Sequence, residues 1–314
     1  MATQSYDTWF TAQAAQPVSL ELPKVANWND DRLPAWWANV IKGPDQLRMR
    51  TAYALSQILV ISKNNAILYN LGQGRAYYAD ILNKNALGNF RTLLDAVARS
   101  PEMGFYLSYF KNDKPNTATG VHADENFARE LMQLFTIGLW KLNPDGTQQL
   151  DGSGNPIPTY AQAEVTNLAR VLTGWASGPY NGRTRRLRVD YDWTNGDVLN
   201  PMACYSAHHD TDAKTIVSGV TIPAGGTCDS DLKIALDTLF NHPNMAPFIG
   251  KQLIQRMVTS NPSPGYVSRV SAVFANNGKV CVEICSRSSR PSSRIPKRPR
   301  PARARLPASC VSLF

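Results

Sequence analysis

The stretch from His122 to Trp140 constrains this chain more than any other. Phe127, Leu131, Leu134 and Phe135 fall at i, i+4, i+7 and i+8, the spacing that gives a helix one apolar side. At roughly 100° per residue, Asn126, Arg129, Glu130 and Gln133 share the opposite side. Glu125 and Arg129 stand one turn apart, as do Asn126 and Glu130, and Gly138 supplies a stop. The pattern predicts a helix that buries one side and presents a polar row on the other.

A structural role accounts for the same row. Asp124 can cap the helix, Glu125 suits its positive end, and Glu125 with Arg129 makes an ordinary i,i+4 pair. His122 and Glu125 are three apart, a spacing that also suits an acid/base pair or a metal.

Elsewhere the chain alternates helical patterns with turn clusters. Tyr6, Trp9 and Phe10 mark a short helix over 5–16, and Trp36 and Trp37 read as core anchors. Pro44 and Asp45 open a helix that the pattern carries to Ser62. Residues 64–74 read as a loop, with helices at Tyr77–Leu82, Phe90–Ala98 and Pro101–Tyr109. The turn-rich segment 144–154 has the punctuation of a hairpin. Thr159-Tyr-Ala-Gln162 has the form of a capping box for the helix that ends at Gly174-Trp175.

From Ala176 to Thr227 the helical pattern disappears, and a strand or two is expected. This stretch carries Arg183, Arg185, Arg186 and Arg188, then Tyr191-Asp-Trp193, and a second polar group, His208-His209-Asp210-Thr-Asp212-Ala-Lys214. Helices return at Asp231–Phe240, Pro247–Ser260 and Tyr266–Ala275. The expected fold is therefore mainly α: one multi-helix domain over 1–278 with an irregular, partly β insertion at about 176–230.

With 43% hydrophobic and 18% charged residues, the composition is that of a globular protein rather than a disordered one. The net charge of +9 invites a nucleic-acid reading, but its location opposes one. Residues 279–314 hold nine basic residues and one acid, leaving 24 Lys+Arg against 23 Asp+Glu in the body. A nearly neutral body gives no electrostatic footprint for a specific nucleic-acid partner. No run of about 18 apolar residues exists to form a transmembrane segment, and the start has neither a basic nor an apolar signal region. Cys204 and Cys228 are the body's two cysteines; a disulfide in an exported protein and two unrelated thiols are both open.

Several stretches, in order, resemble the bacterial family catalogued as domain of unknown function 1800. They are Asp45-Gln-Leu-Arg with Ala-Leu-Ser-Gln57, Ala86-Leu-Gly-Asn-Phe-Arg91, Glu125-Asn-Phe-Ala-Arg-Glu-Leu131, Leu172-Thr-Gly-Trp175, His209-Asp210 with Lys214, and His242-Pro-Asn244. The resemblance runs from about Tyr6 to Gly278. It implies a largely helical fold and members that often carry export signals, with no generally established activity. An N-terminal export segment of the family pattern has no counterpart here, which leaves localisation open.

After Gly278 the resemblance stops in a Ser/Arg/Pro-rich run. A codon string that can encode Lys279–Cys285 reads, shifted by one base, as Gly-Val-Arg-Gly-Asp-Leu, close to the family pattern. A frame-shifted tail over 279–314 is therefore expected, the alternative being a basic arm that binds phosphates. Independent reads around codon 279 that preserve the frame would overturn the shift.

Two functions are weighed for the polar groups. In the first the protein is a hydrolase of an extracellular polymer such as a polysaccharide. Glu130 is then the proton donor and Glu125 or Asp210 the second carboxylate. Asn126, Arg129, Trp175, His209 and Lys214 bind or orient the substrate. A variant lets His122, His209 and Asp210, with Glu125, hold a divalent metal, although no His-Glu-x-x-His spacing is present. The second function is a non-catalytic envelope protein, its partner a polysaccharide or another envelope protein. There the same charges fix helix packing and order loops. No nucleophile elbow, phosphate loop or dinucleotide fingerprint appears.

Overall fold

Asn89 shows how local sequence sets the helices: its side chain accepts hydrogen bonds from the amides of Arg91 and Thr92, opening the helix Phe90–Ala98. Phe90, Leu93, Leu94 and Val97 follow at helical spacing, and all four are buried. The computed structural model describes residues 6–19, 22, 32–178 and 198–277.

Eleven α-helices lie among the described residues. They are α1 (Tyr6–Ala14), α2 (Arg32–Lys42), α3 (Gln46–Ser56), α4 (Gly72–Asn85), α5 (Phe90–Ala98) and α6 (Pro101–Tyr106). Then come α7 (Asn126–Gln133), α8 (Gln162–Val171), α9 (Cys228–Phe240), α10 (Met245–Met257) and α11 (Pro264–Asn277). One continuous apolar core joins α3, α4, α5, α7, α8, α9, α10 and α11. α3 packs on α4 and α10, α5 on α9, and α7 on α8. No helix among the described residues is long and apolar enough to cross a membrane.

The insertion contributes two short antiparallel pairs. β1 (Trp175–Ala176) pairs with β2 (Ala203–Cys204), and β3 (Lys214–Thr215) with β4 (Thr221–Ile222). Cys204 and Cys228 form a disulfide that ties β2 to the first residue of α9. The Arg183–Arg188 group, Tyr191–Trp193 and the 279–314 tail lie outside the described residues.

Several boundaries differ from the sequence expectation. α3 stops at Ser56 rather than Ser62; the Leu59 carbonyl is taken by the Tyr78 hydroxyl at 2.6 Å instead of by a further helical turn. α4 starts at Gly72, inside the expected loop, because Gly74 is needed there: a Cβ would collide with the buried Glu102 carboxyl on α6. Trp36 is buried as expected, but Trp37 is 37% exposed.

The central helix is the shortest surprise. α7 ends at Gln133, because the amides of Ile137 and Gly138 both turn back onto the Met132 carbonyl and Gly138 takes φ +73°. Phe127, Leu131 and Phe135 are buried, whereas Leu134, beyond the helix, is 43% exposed.

The segment after α7 is held by Asn244. Its amide donates to the carbonyls of Ile137 and Trp140 at 2.8 Å, and its oxygen accepts from the Leu142 amide at 2.9 Å. The expected hairpin is a meander of isolated bridges, Trp140 to Pro158, Leu142 to Gln148 and Leu150 to Pro156. It delivers the chain to α8, which begins two residues later than the Thr159 box implies. The Glu164 carboxylate accepts from the Ala161 amide at 2.7 Å, while Thr159 is buried beneath Asn244.

Candidate functional site

α8 is the rail on which the two polar groups of the sequence meet. Gln162, Thr166 and Arg170 recur every four residues, so they form one row along its surface. The first two engage Glu125 on the α7 side, and the third engages Asp210 from the insertion. Segments far apart in sequence are thereby fixed to successive turns of one helix.

Glu125 stands at the start of α7. Its Oε2 accepts from Arg129 Nη2 at 3.0 Å and Gln162 Nε2 at 2.7 Å, and its Oε1 from the Thr166 hydroxyl at 2.7 Å. Burial pushes its pKa up, but these hydrogen bonds and the Arg129 charge outweigh it, leaving the group below its ordinary 4.5. Three of the four lone-pair sites of the carboxylate are used, and the side chain keeps 30% exposure.

Glu130, five residues on and within α7, has the opposite environment. Burial raises its pKa above 4.5, with the Arg129 charge opposing. Its Oε2 is buried without a hydrogen-bond partner among the described residues, and so is the hydroxyl of Tyr160. A buried polar group without a partner costs about 1–3 kcal/mol, so the fold pays for this arrangement. Asn126 is exposed; its amide takes Asp124 Oδ1 at 2.8 Å and its side chain donates to the Ser108 hydroxyl at 3.3 Å.

The second group is interior. Asp210 is gripped by Arg170 through two bonds, Nε at 2.7 Å and Nη2 at 3.0 Å, and it also accepts the Asp212 amide. Burial raises its pKa, and the Arg170 bonds, the Asp212 amide and the nearby cations carry it below 3.8. His209 is 1% exposed, with Nδ1 3.0 Å from the Thr173 carbonyl and Nε2 3.2 Å from Asp231. Lys214, also 1% exposed, puts Nζ 2.8 Å from the same Asp231 oxygen. Trp175 is 1% exposed, its ring covered by the Arg99 guanidinium at 4.9 Å.

The expected binding roles of Trp175, His209 and Lys214 therefore meet a physical obstacle: burial leaves them no face for a ligand. Asp210, 6% exposed with both oxygens on Arg170, is a poorer second carboxylate than the more open Glu125. Among the described residues no three His, Cys, Asp or Glu side chains are placed to hold an ion; His122 is exposed, and His209 and Asp210 are spent on Asp231, Thr173 and Arg170. For the envelope alternative, in which these charges fix helix packing, the Glu125–Arg129 pair forms, whereas Glu130 Oε2 has no hydrogen-bond partner among the described residues.

Sequence reasoning missed Tyr160, Asp231 and the partners on α8. The i,i+4 recurrence of Gln162, Thr166 and Arg170 was a readable signal. Tyr160 and Asp231 had none, since their roles rest on contacts with distant segments.

Fold and site together define a mainly helical domain whose polar centre is one carboxylate-bearing helix braced by α8. The chain matches the family described as "Protein of unknown function (DUF1800)" over residues 2–286, and it belongs to that family. No curated protein and no solved structure matches it.

Proposed function

We propose that the protein is a hydrolase of an extracellular polymer, a polysaccharide being the best fit, with Glu130 as proton donor and Glu125 as its ionised partner. One observation carries the reading: two carboxylates five residues apart, Glu125 at the N-cap of α7 and Glu130 within it, have environments that push their pKa values apart, Glu125 down and Glu130 up. That division is what separates an acid from a charge-stabilising group in two-carboxylate chemistry. The lone pair left on Glu125 Oε1 can orient a water or steady developing positive charge, while Arg129 holds Glu125 in place. The Cys204–Cys228 disulfide supports work in an oxidising compartment, outside the cytosol.

The test is sugar release from a panel of polysaccharides by the parent and by Glu130→Gln. Release by the parent and its loss of 100-fold or more in the variant, about the contribution of a general acid, is expected. A folded parent that releases nothing across the panel would sink the reading.

A second reading, a non-catalytic envelope binding or assembly protein, is favoured by the same clamp. Glu125 joins α7 to α8 through Gln162 and Thr166, as a purely structural carboxylate would. Under it Glu130→Gln changes no turnover, and capture of polysaccharide or an envelope protein without cleavage is the outcome.

A further inference from the structure

Glu125 stands at the N-cap of α7, yet its carboxylate caps none of the helix amides. Asp124 takes that work, accepting the Asn126 amide on its Oδ1 at 2.8 Å. The Glu125 side chain is held instead by α8, through Gln162 and Thr166.

Gln162 does more than donate to it. Its Nε2 reaches Glu125 Oε2 at 2.7 Å, and its Oε1 accepts from Arg129 Nη2 at 3.1 Å. Arg129 Nη2 lies 3.0 Å from the same Glu125 oxygen, so three side chains close a ring. The amide of Gln162 offers both an acceptor for the guanidinium and a donor for the carboxylate. A Lys in its place would repel Arg129, and a Glu would repel Glu125. The ring fills both lone pairs of Oε2 and Thr166 fills one of Oε1, so the open one is on Oε1. Gln162 thus decides which carboxylate oxygen stays available.

We propose that Gln162 is a positioning residue: its amide locks Glu125 Oε2 to Arg129, so that Glu125 meets its substrate through Oε1 alone. The role rests on the hydrolase reading, and Gln162 acts through Glu125 rather than on a reacting atom. Gln162 and Thr166 are exposed, and water competes for their bonds, so the lock adds little to stability. Its effect is read in turnover.

The experiment measures sugar release from cellulose, chitin and xylan by the full chain, by Gln162→Met and by Gln162→Glu. It records kcat, KM, the pH profile and the melting temperature of each. Gln162→Met keeps the side-chain length and loses both bonds. Its kcat is expected to fall about 10-fold, the worth of one hydrogen bond to a charged group, with KM unchanged. The acid limb of the profile is expected to move up, since a bond that holds Glu125 ionised is gone. Gln162→Glu, which sets a second carboxylate beside Glu125, is expected to move it further. Both variants should melt within about 2 °C of the parent. An acid limb that stays in place would overturn the proposal, and with a lowered melting temperature it would make Gln162 a brace between α7 and α8. A change confined to KM would overturn it too, since the residue would then bind substrate directly. Release by the parent that Gln162→Met leaves intact sinks this inference alone. A parent that releases nothing sinks the hydrolase reading, and this role with it.

Discussion

Nζ of Lys214 lies 2.8 Å from Oδ2 of Asp231, and both side chains are sealed from solvent. The same oxygen is 3.2 Å from His209 Nε2, and Asp210 Oδ1 is 3.9 Å from the ammonium. One carboxylate on α9 thus gathers two side chains from the insertion, while Arg170 on α8 takes Asp210. The insertion is anchored to the helical body by charge, and the exposed polar groups of α7 are left for other work.

Lys214→Met is therefore expected to destabilise strongly. Removing one partner of a buried pair leaves the other charge uncompensated, at a cost of about 3–5 kcal/mol. A second substitution, Asp231→Leu, removes that charge and is expected to recover part of the loss. Urea unfolding of the single and double variants measures both; additive losses would show that the two groups do not couple.

Gly74→Ala tests a close approach between helices. The added methyl would collide with the Glu102 carboxyl, which is fully buried and cannot move into solvent. Ala would favour the helix by about 1 kcal/mol over Gly, so a net loss of about 2 kcal/mol or more means the collision wins. Thermal unfolding decides, and a gain in stability would show that α4 and α6 can move apart.

That glycine also marks the limit of the sequence. The period of Phe90, Leu93, Leu94 and Val97 was legible, as was the Glu125–Arg129 pair, because both are local. Gly72 and Gly74 read as loop signals, since only packing against α6 explains a helix that starts there. Leu134 kept the apolar period, but the turn onto the Met132 carbonyl broke the helix before it. His209, Lys214 and Trp175 carried functional residue types; their burial depends on Asp231 and Arg99, which no spacing connects to them.

The Cys204–Cys228 disulfide closes a segment of 24 residues that includes His209, Asp210 and Lys214. Constraint of the unfolded chain by a loop of that size is worth about 3.5 kcal/mol. Paired replacement by serine is expected to lower stability by about that amount. Denaturant midpoints check it, and thiol titration of the parent before and after unfolding checks the bond. A midpoint unchanged in the variant would show that the charge network alone fixes the segment.

The opposed shifts of Glu125 and Glu130 set a pH profile. On the proposed hydrolase reading, turnover needs Glu125 ionised and Glu130 protonated, so activity would rise through the Glu125 pKa, below 4.5, and fall through that of Glu130, above 4.5. A bell that brackets 4.5 is expected on a polysaccharide substrate. Stability carries the independent check. Between 4.5 and its raised folded value, Glu130 keeps a proton in the folded state that the unfolded chain has lost, so stability falls as pH rises through that window. Glu130→Gln removes this fall: the variant should match the parent in acid and exceed it at neutral pH. Glu125 runs the other way, stabilising above 4.5 and losing that contribution as pH drops through its lowered value. Melting temperatures of the parent and Glu130→Gln across this range read the difference directly. Parallel curves would mean that Glu130 titrates like a solvated carboxylate and is no proton donor.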